Sequence, residues 1–221
     1  METVISARRF DAPPLDHQEI LRYAGAKEAV PEILALLEDC LKEAEGVPVF
    51  SACYGEFPVS MQGDKLTFPF GTVFSRDLAK NLAGCQRVFL FAATLGIGFD
   101  RLLARYSKVS PARAQMLGAI GTERVESLCE KLVSKLKEEH PELCLRPRFS
   151  PGYGDLPLSF QRDIFSVLDC SRKIGLTLNE SLLMSPTKSV TAIMGIADEP
   201  ADIPAKCGSC TKTDCTYRRT L

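Results

Sequence analysis

The chain has no tryptophan and only two histidines, His17 and His140, so histidine-based acid–base or metal chemistry has almost nothing to draw on. It has no surplus of charge. Its 27 basic and 28 acidic side chains leave a net charge of −1, which removes the electrostatic case for a nucleic-acid or acidic-membrane partner. It has no long apolar run either. The best, Val88-Phe89-Leu90-Phe91-Ala92-Ala93, has the length of a buried strand and is far too short to span a bilayer. Near the N-terminus Arg8 and Arg9 are followed by Asp11, two prolines and Asp16, where a secretion signal would need its apolar stretch.

Cysteine, by contrast, is plentiful. Nine thiols in 221 residues is an odd number in a chain that is not loop-dominated, which fits reduced thiols and a cytoplasmic location better than a disulfide scaffold. At 45% hydrophobic residues the chain can bury a sizeable core.

Pro31 to Glu45 carries Ile33, Leu34, Leu36, Leu37, Cys40 and Leu41 on one broad face and predicts an amphipathic helix. Val47 to Leu66 is richer in strand formers, with a hairpin turn at Gln62-Gly63-Asp64. Ser75 is placed to cap a short helix through Leu82. The strand from Val88 closes at Thr94-Leu95-Gly96-Ile97-Gly98, and Phe99 to Tyr106 is helical again. Ser110-Pro111 starts a long helix by a hydroxyl cap and a proline in the first turn, and Pro141 stops it. Ser159 to Ile174 predicts one further helix. Leu176 to Ile196 has strand character interrupted at Ser185-Pro186-Thr187-Lys188. The pattern is an α+β fold, a mixed or antiparallel twisted sheet with packed helices, over residues 1–198. Residues 199–221 read as a linker and a cysteine-containing tail.

Four features carry chemistry. Arg148-Phe149-Ser150-Pro151-Gly152-Tyr153 sets a cation and an aromatic ring on a stiff, exposed turn, because Pro151 fixes φ and Gly152 permits a sharp bend. Such a turn can offer a guanidinium to a carboxylate and a flat ring to a planar ligand. Glu126 lies at the edge of the apolar stripe formed by Val125, Leu128 and Leu132, where it is either solvated or turned toward a ligand amine. The Thr94–Gly98 segment has the position of a phosphate-binding turn, but Asp100-Arg101 stands where a dinucleotide fingerprint needs its third glycine, so a plain strand-to-helix turn is favoured. In the tail, Cys207, Cys210 and Cys215 have a spacing that lets three thiolates converge on zinc or an iron–sulfur cluster. The fourth ligand would come from Cys53, Cys144, Cys170, Asp214 or outside the chain. Reduced surface thiols are the alternative.

Taken together, three stretches resemble the reactivation (activation) domain of cobalamin-dependent methionine synthase, in the form of its stand-alone, single-domain relatives. The family's Arg-x-x-Pro-Gly-Tyr turn is matched by Arg148, Pro151, Gly152 and Tyr153. Its Glu-Ser-x-x-Met-x-Pro-x-x-Ser-Val segment is matched by Glu180, Ser181, Met184, Pro186, Ser189 and Val190, and the helix before the turn carries Glu126 and Glu130. The match runs from about Ala119 to Ile196. The resemblance implies binding of S-adenosylmethionine and capping of a cobalamin carried by a partner methyltransferase. Cob(II)alamin would be reduced by flavodoxin or a ferredoxin-type donor and then remethylated. By position, Arg148 would meet the carboxylate of S-adenosylmethionine, the Ser150 backbone its adenosine part, and Glu126 its methionyl end. Gly152 would allow close approach, and Tyr153 would lie beside the corrin. Such a chain is an accessory to a methyltransferase rather than an enzyme with its own turnover.

Three departures stand out. The family's turn continues Tyr-Pro and this one continues Tyr153-Gly154-Asp155; an Asp-Trp-Thr-Pro segment has no counterpart; and Ala197-Asp198-Glu199-Pro200 replaces a pair of tyrosines. Two other functions fit the same residues: an electron-transfer protein built on the cysteine tail, and a corrinoid-protein chaperone that does not use S-adenosylmethionine.

Overall fold

The strand Arg87–Thr94 is buried along all but its first residue, and its alternation feeds two separate cores. Phe89, Phe91 and Ala93 point into one, and Val88, Leu90 and Ala92 into the other. A strand apolar on both faces must lie mid-sheet with a layer on each side, and the computed structural model, which describes residues 3–26, 28–197 and 199, has that architecture.

In chain order the strands are β1 (Ser6–Arg9), β2 (Ser51–Pro58), β3 (Ser60–Gln62), β4 (Lys65–Phe68), β5 (Gly71–Phe74), β6 (Arg87–Thr94), β7 (Cys144–Leu145), β8 (Thr177–Leu178), β9 (Met184–Ser185) and β10 (Ser189–Ala197). The helices are α1 (His17–Ala24), α2 (Pro31–Ala44), α3 (Arg76–Asn81), α4 (Ile97–Tyr106), α5 (Pro111–Glu139), α6 (Gln161–Leu168) and α7 (Cys170–Ile174). The main sheet is antiparallel throughout, in the order β1-β2-β6-β10-β7. On one face lies α5, with α1, α2 and α4 packed around it. On the other lie α6, α7 and the three-stranded sheet β3-β4-β5.

The helix α5 has 29 residues and is therefore about 43 Å long. Its buried stripe includes Val125, Leu128, Cys129, Leu132 and Leu136, as the sequence spacing requires. Pro111 occupies its first turn, but Ser110 makes no side-chain cap bond, so proline alone sets the start. The hydroxyl cap expected at Ser75 does form and accepts from Leu78 N.

The expected helix from Ser159 to Ile174 is broken. A 3-10 turn at Leu158–Phe160 leads into α6, and Asp169 at φ 51° separates α6 from α7. Aspartate tolerates this left-handed conformation, and its amide closes α6 on the Phe165 and Ser166 carbonyls. No helix among the described residues is long and apolar enough to cross a membrane. The metal ligands expected at Cys207, Cys210 and Cys215 lie outside the described residues.

Candidate functional site

The strand β7 pairs only with the last residues of β10, Ile196 and Ala197. From there the chain runs along the edge of β10, held by Arg146 N donating to Gly195 O at 2.8 Å and by a two-way bridge between Phe149 and Ile193. Past Ile193 the pairing stops. In an antiparallel ladder every second residue turns its N–H and C=O to the same side, so Thr191 and Ser189 present theirs toward an edge that no strand pairs among the described residues, although both residues are buried. The Arg148–Tyr153 turn is set beside it.

The turn is fixed by its own backbone. Tyr153 N donates to Ser150 O at 3.1 Å, Gly152 N to Leu156 O at 3.0 Å, and Leu156 N to Tyr153 O at 3.0 Å. Gly152 has φ 87°, and a β-carbon there would come within 3.2 Å of Leu158, so glycine is needed for both conformation and space. Tyr153 is 62% exposed, as a ring offered to a flat partner must be.

Asp155 locks the turn to the neighbouring helix. Its carboxylate accepts from the Ser75 hydroxyl, from Arg76 N at 2.9 Å and from Asp77 N at 3.1 Å, so it caps α3 from outside. The departure from the family's Tyr-Pro is therefore a different fastening: Gly154, at φ 51°, lets the chain pass against Asp77, and Asp155 takes the cap. The Ser75 hydroxyl first, and the two amides with it, hold the Asp155 carboxyl below its usual pKa. A depressed acid stabilises the fold fully above its unfolded value of about 3.9 and loses that contribution as pH falls through the lower folded value. Asp155→Asn is accordingly expected to unfold at a higher pH on the acid side, read as the midpoint of acid unfolding by circular dichroism. An unchanged midpoint would remove this fastening from the stability of the fold.

Arg148 differs from the sequence expectation of an exposed cation: its side chain is only 11% exposed. The cause is α5, which presents Glu126 and Glu130 one turn apart toward it. Arg148 Nη2 donates to Glu126 at 3.1 Å and also to Glu130. Burial works against the Arg148 charge, but Cys129, Glu126 and Glu130 more than offset it and raise its pKa. Both ion pairs are made through the same nitrogen, Nη2. The cluster thus joins an aimed guanidinium edge to two carboxylates, a set that can take both ends of an amino-acid zwitterion.

The structure therefore brings Arg148, Glu126 and Glu130 together and places Ser150, Gly152 and Tyr153 on the adjoining turn. Sequence reasoning did not find Asp155 or Lys188. Lys188 follows the Ser185-Pro186-Thr187 turn, and its ammonium donates to Gly118 O at 2.8 Å and Thr122 Oγ1 at 2.9 Å on α5. Burial pushes its pKa down, with Asp100 opposing. Its signal in the sequence was Gly121, which leaves room for the lysine stem and for Phe99.

Among the described residues no group of three or more His, Cys, Asp or Glu side chains gathers as a metal site. Cys53 and Cys170, two of the thiols considered as a fourth ligand to the tail, face each other in the core at 3.9 Å. Two cavities, of about 630 and 490 Å³, lie elsewhere, and neither is lined by Arg148 or its turn.

Fold and site define a class: an antiparallel α+β domain that presents an Arg-x-x-Pro-Gly-Tyr turn beside the last strand of its sheet and two glutamates of a long helix. Residues 78–215 match the family model described as vitamin B12 dependent methionine synthase, activation domain, and the chain belongs to that family. Among solved structures it is similar to the MetH reactivation domain bound to AdoHcy, at TM-score 0.64 and 16% identity, over 91% of this chain and 81% of that one. No curated protein matches the sequence.

Proposed function

We propose that this chain is a free-standing reactivation subunit. It binds S-adenosylmethionine at the Arg148 turn and docks on a cobalamin-carrying methyltransferase that lacks such a domain. The observation that carries this reading is the Arg148 guanidinium, held against Glu126 and Glu130 through Nη2 beside the Ser150–Tyr153 turn. The guanidinium receives the α-carboxylate of the ligand, and the two glutamates face its ammonium or sulfonium end. The Ser150 backbone offers hydrogen bonds to the adenosine part. Gly152 permits close approach, and the exposed Tyr153 ring lies against the corrin of the partner.

No residue here is asked to move a proton. The chain positions the methyl donor, and the cobalt of the partner carries the transfer. Residues 1–198 serve as the activation unit, with flavodoxin or a ferredoxin-type protein as electron donor in the cytoplasm. The tail thiols Cys207, Cys210 and Cys215 hold zinc or an iron–sulfur cluster near that donor. The solved neighbour with bound AdoHcy and the family membership support the ligand class.

The test is calorimetric titration of anaerobically purified protein with S-adenosylmethionine. Saturable one-site binding is expected. Folded protein that gives no heat would overturn the ligand assignment and favour a chaperone that docks on corrinoid proteins without it.

A further inference from the structure

The second cavity, of about 490 Å³, opens at the far edge of the sheet from Arg148, where β1, β2 and β6 end together. Its lining includes Arg9, Ser51, Thr94, Gly96 and Lys173 and contains no carboxylate. The register sets Arg9 opposite Ser51, and Ser51 opposite Thr94, so the three stand in a row on one face of the sheet.

Ser51 is only 7% exposed as a residue and lines this cavity. Its neighbour Thr94 is already committed: its Oγ1 accepts from Gly96 N at 3.2 Å and lies 2.8 Å from Ser189 Oγ, which in turn donates to Pro186 O. Ser51 is thus the hydroxyl of the row left to bind something. Two cations face the same space. The Arg9 guanidinium has no ion pair or hydrogen bond among the described residues, and the Lys173 ammonium makes one, to Ile5 O at 3.2 Å. Arg8 also borders the cavity, but its guanidinium is held by Glu139 at 2.6 Å. Gly96, the residue before α4, lines the same wall.

We infer that this cavity is an anion site, separate from the Arg148 turn, that takes the phosphate monoester of a small soluble molecule. Arg9 and Lys173 neutralise the dianion, Ser51 donates to one oxygen, and the remaining volume accommodates the esterified group, since a bare phosphate fills only a fraction of it. The larger cavity makes no such selection, because Glu38 and Glu45 share its rim with Lys42 and His17.

The experiment is a titration of the full chain with inorganic phosphate, then with phenyl phosphate, at constant ionic strength, followed by amide nitrogen–proton NMR. Saturable shifts centred on Arg9, Ser51, Gly96 and Ile97 are expected, with the monoester binding more tightly. Ser51→Ala and Arg9→Gln should each weaken binding about tenfold, and Arg148→Ala should leave it unchanged. Arg9 is exposed and unpaired, so its replacement does not threaten the fold. Shifts that never saturate and spread over the surface lysines and arginines would overturn the site. So would wild-type affinity in both variants, and a monoester no tighter than phosphate would overturn the ligand class.

Discussion

Glu123→Ala is expected to lower the stability of the fold by about 3–5 kcal/mol, the cost of leaving one member of a buried ion pair behind. Glu123 and Arg124 are 2% and 5% exposed, and they pair through Arg124 Nε at 2.6 Å and Nη2 at 2.8 Å. The pair is also a clamp. Arg124 donates to the Pro13 and Pro14 carbonyls at 2.7 and 2.6 Å, while Glu123 accepts from Asp16 N and the Ser127 hydroxyl. Removing the carboxylate therefore strands a guanidinium and frees the segment that leads into α1. Urea unfolding monitored by circular dichroism reads the change directly. A loss below about 1 kcal/mol would place the pair with ordinary surface ion pairs. Glu123→Gln keeps the shape and two of the acceptor contacts, so it should lie between the wild type and the alanine variant.

Arg148→Ala is expected to weaken S-adenosylmethionine binding about 100-fold, measured by the same calorimetric titration. A hydrogen bond between charged partners contributes about 1.5–3 kcal/mol, and the lost guanidinium also leaves Glu126 and Glu130 beside the site without their counter-charge. Arg148→Lys separates charge from geometry. A lysine restores the positive charge but not the planar fork, so binding should return only in part. Unchanged affinity in both variants, with normal folding, would remove Arg148 from the ligand site.

The long helix, the buried strand and the capped helix at Ser75 were readable in the sequence because each rests on local chemistry. Periodicity gives α5 its stripe, an apolar run gives β6 its burial, and a hydroxyl before Arg76 gives α3 its cap. The break at Asp169 was not readable, since the residues on both sides of it favour helix and only packing against β2 and β6 decides where it bends. The strand order was equally hidden, because β7 is two residues long and joins the sheet through β10 alone.

The site divides along the same line. Arg148, Gly152 and Tyr153 were visible as a motif. That Arg148 is sheltered by Glu126 and Glu130 depends on a helix that precedes it in sequence and passes it in space. Asp155 looked like a departure from the family pattern, and its function as a cap became visible only with α3 beside it. No local rule connects residues 75 and 155.

Among the described residues β10 is the last strand to leave the ribosome, and its neighbours on both sides are made before it. Until it arrives, β6 has a bare edge, β7 has nothing to pair with, and Phe149 has no Ile193 to hold it. The Arg148 turn is thus held in place by a strand synthesised some forty residues after it. Such long-range closure comes late in folding. A chain cut before β10 would carry every named residue of the turn and yet lack the strand that holds it in place.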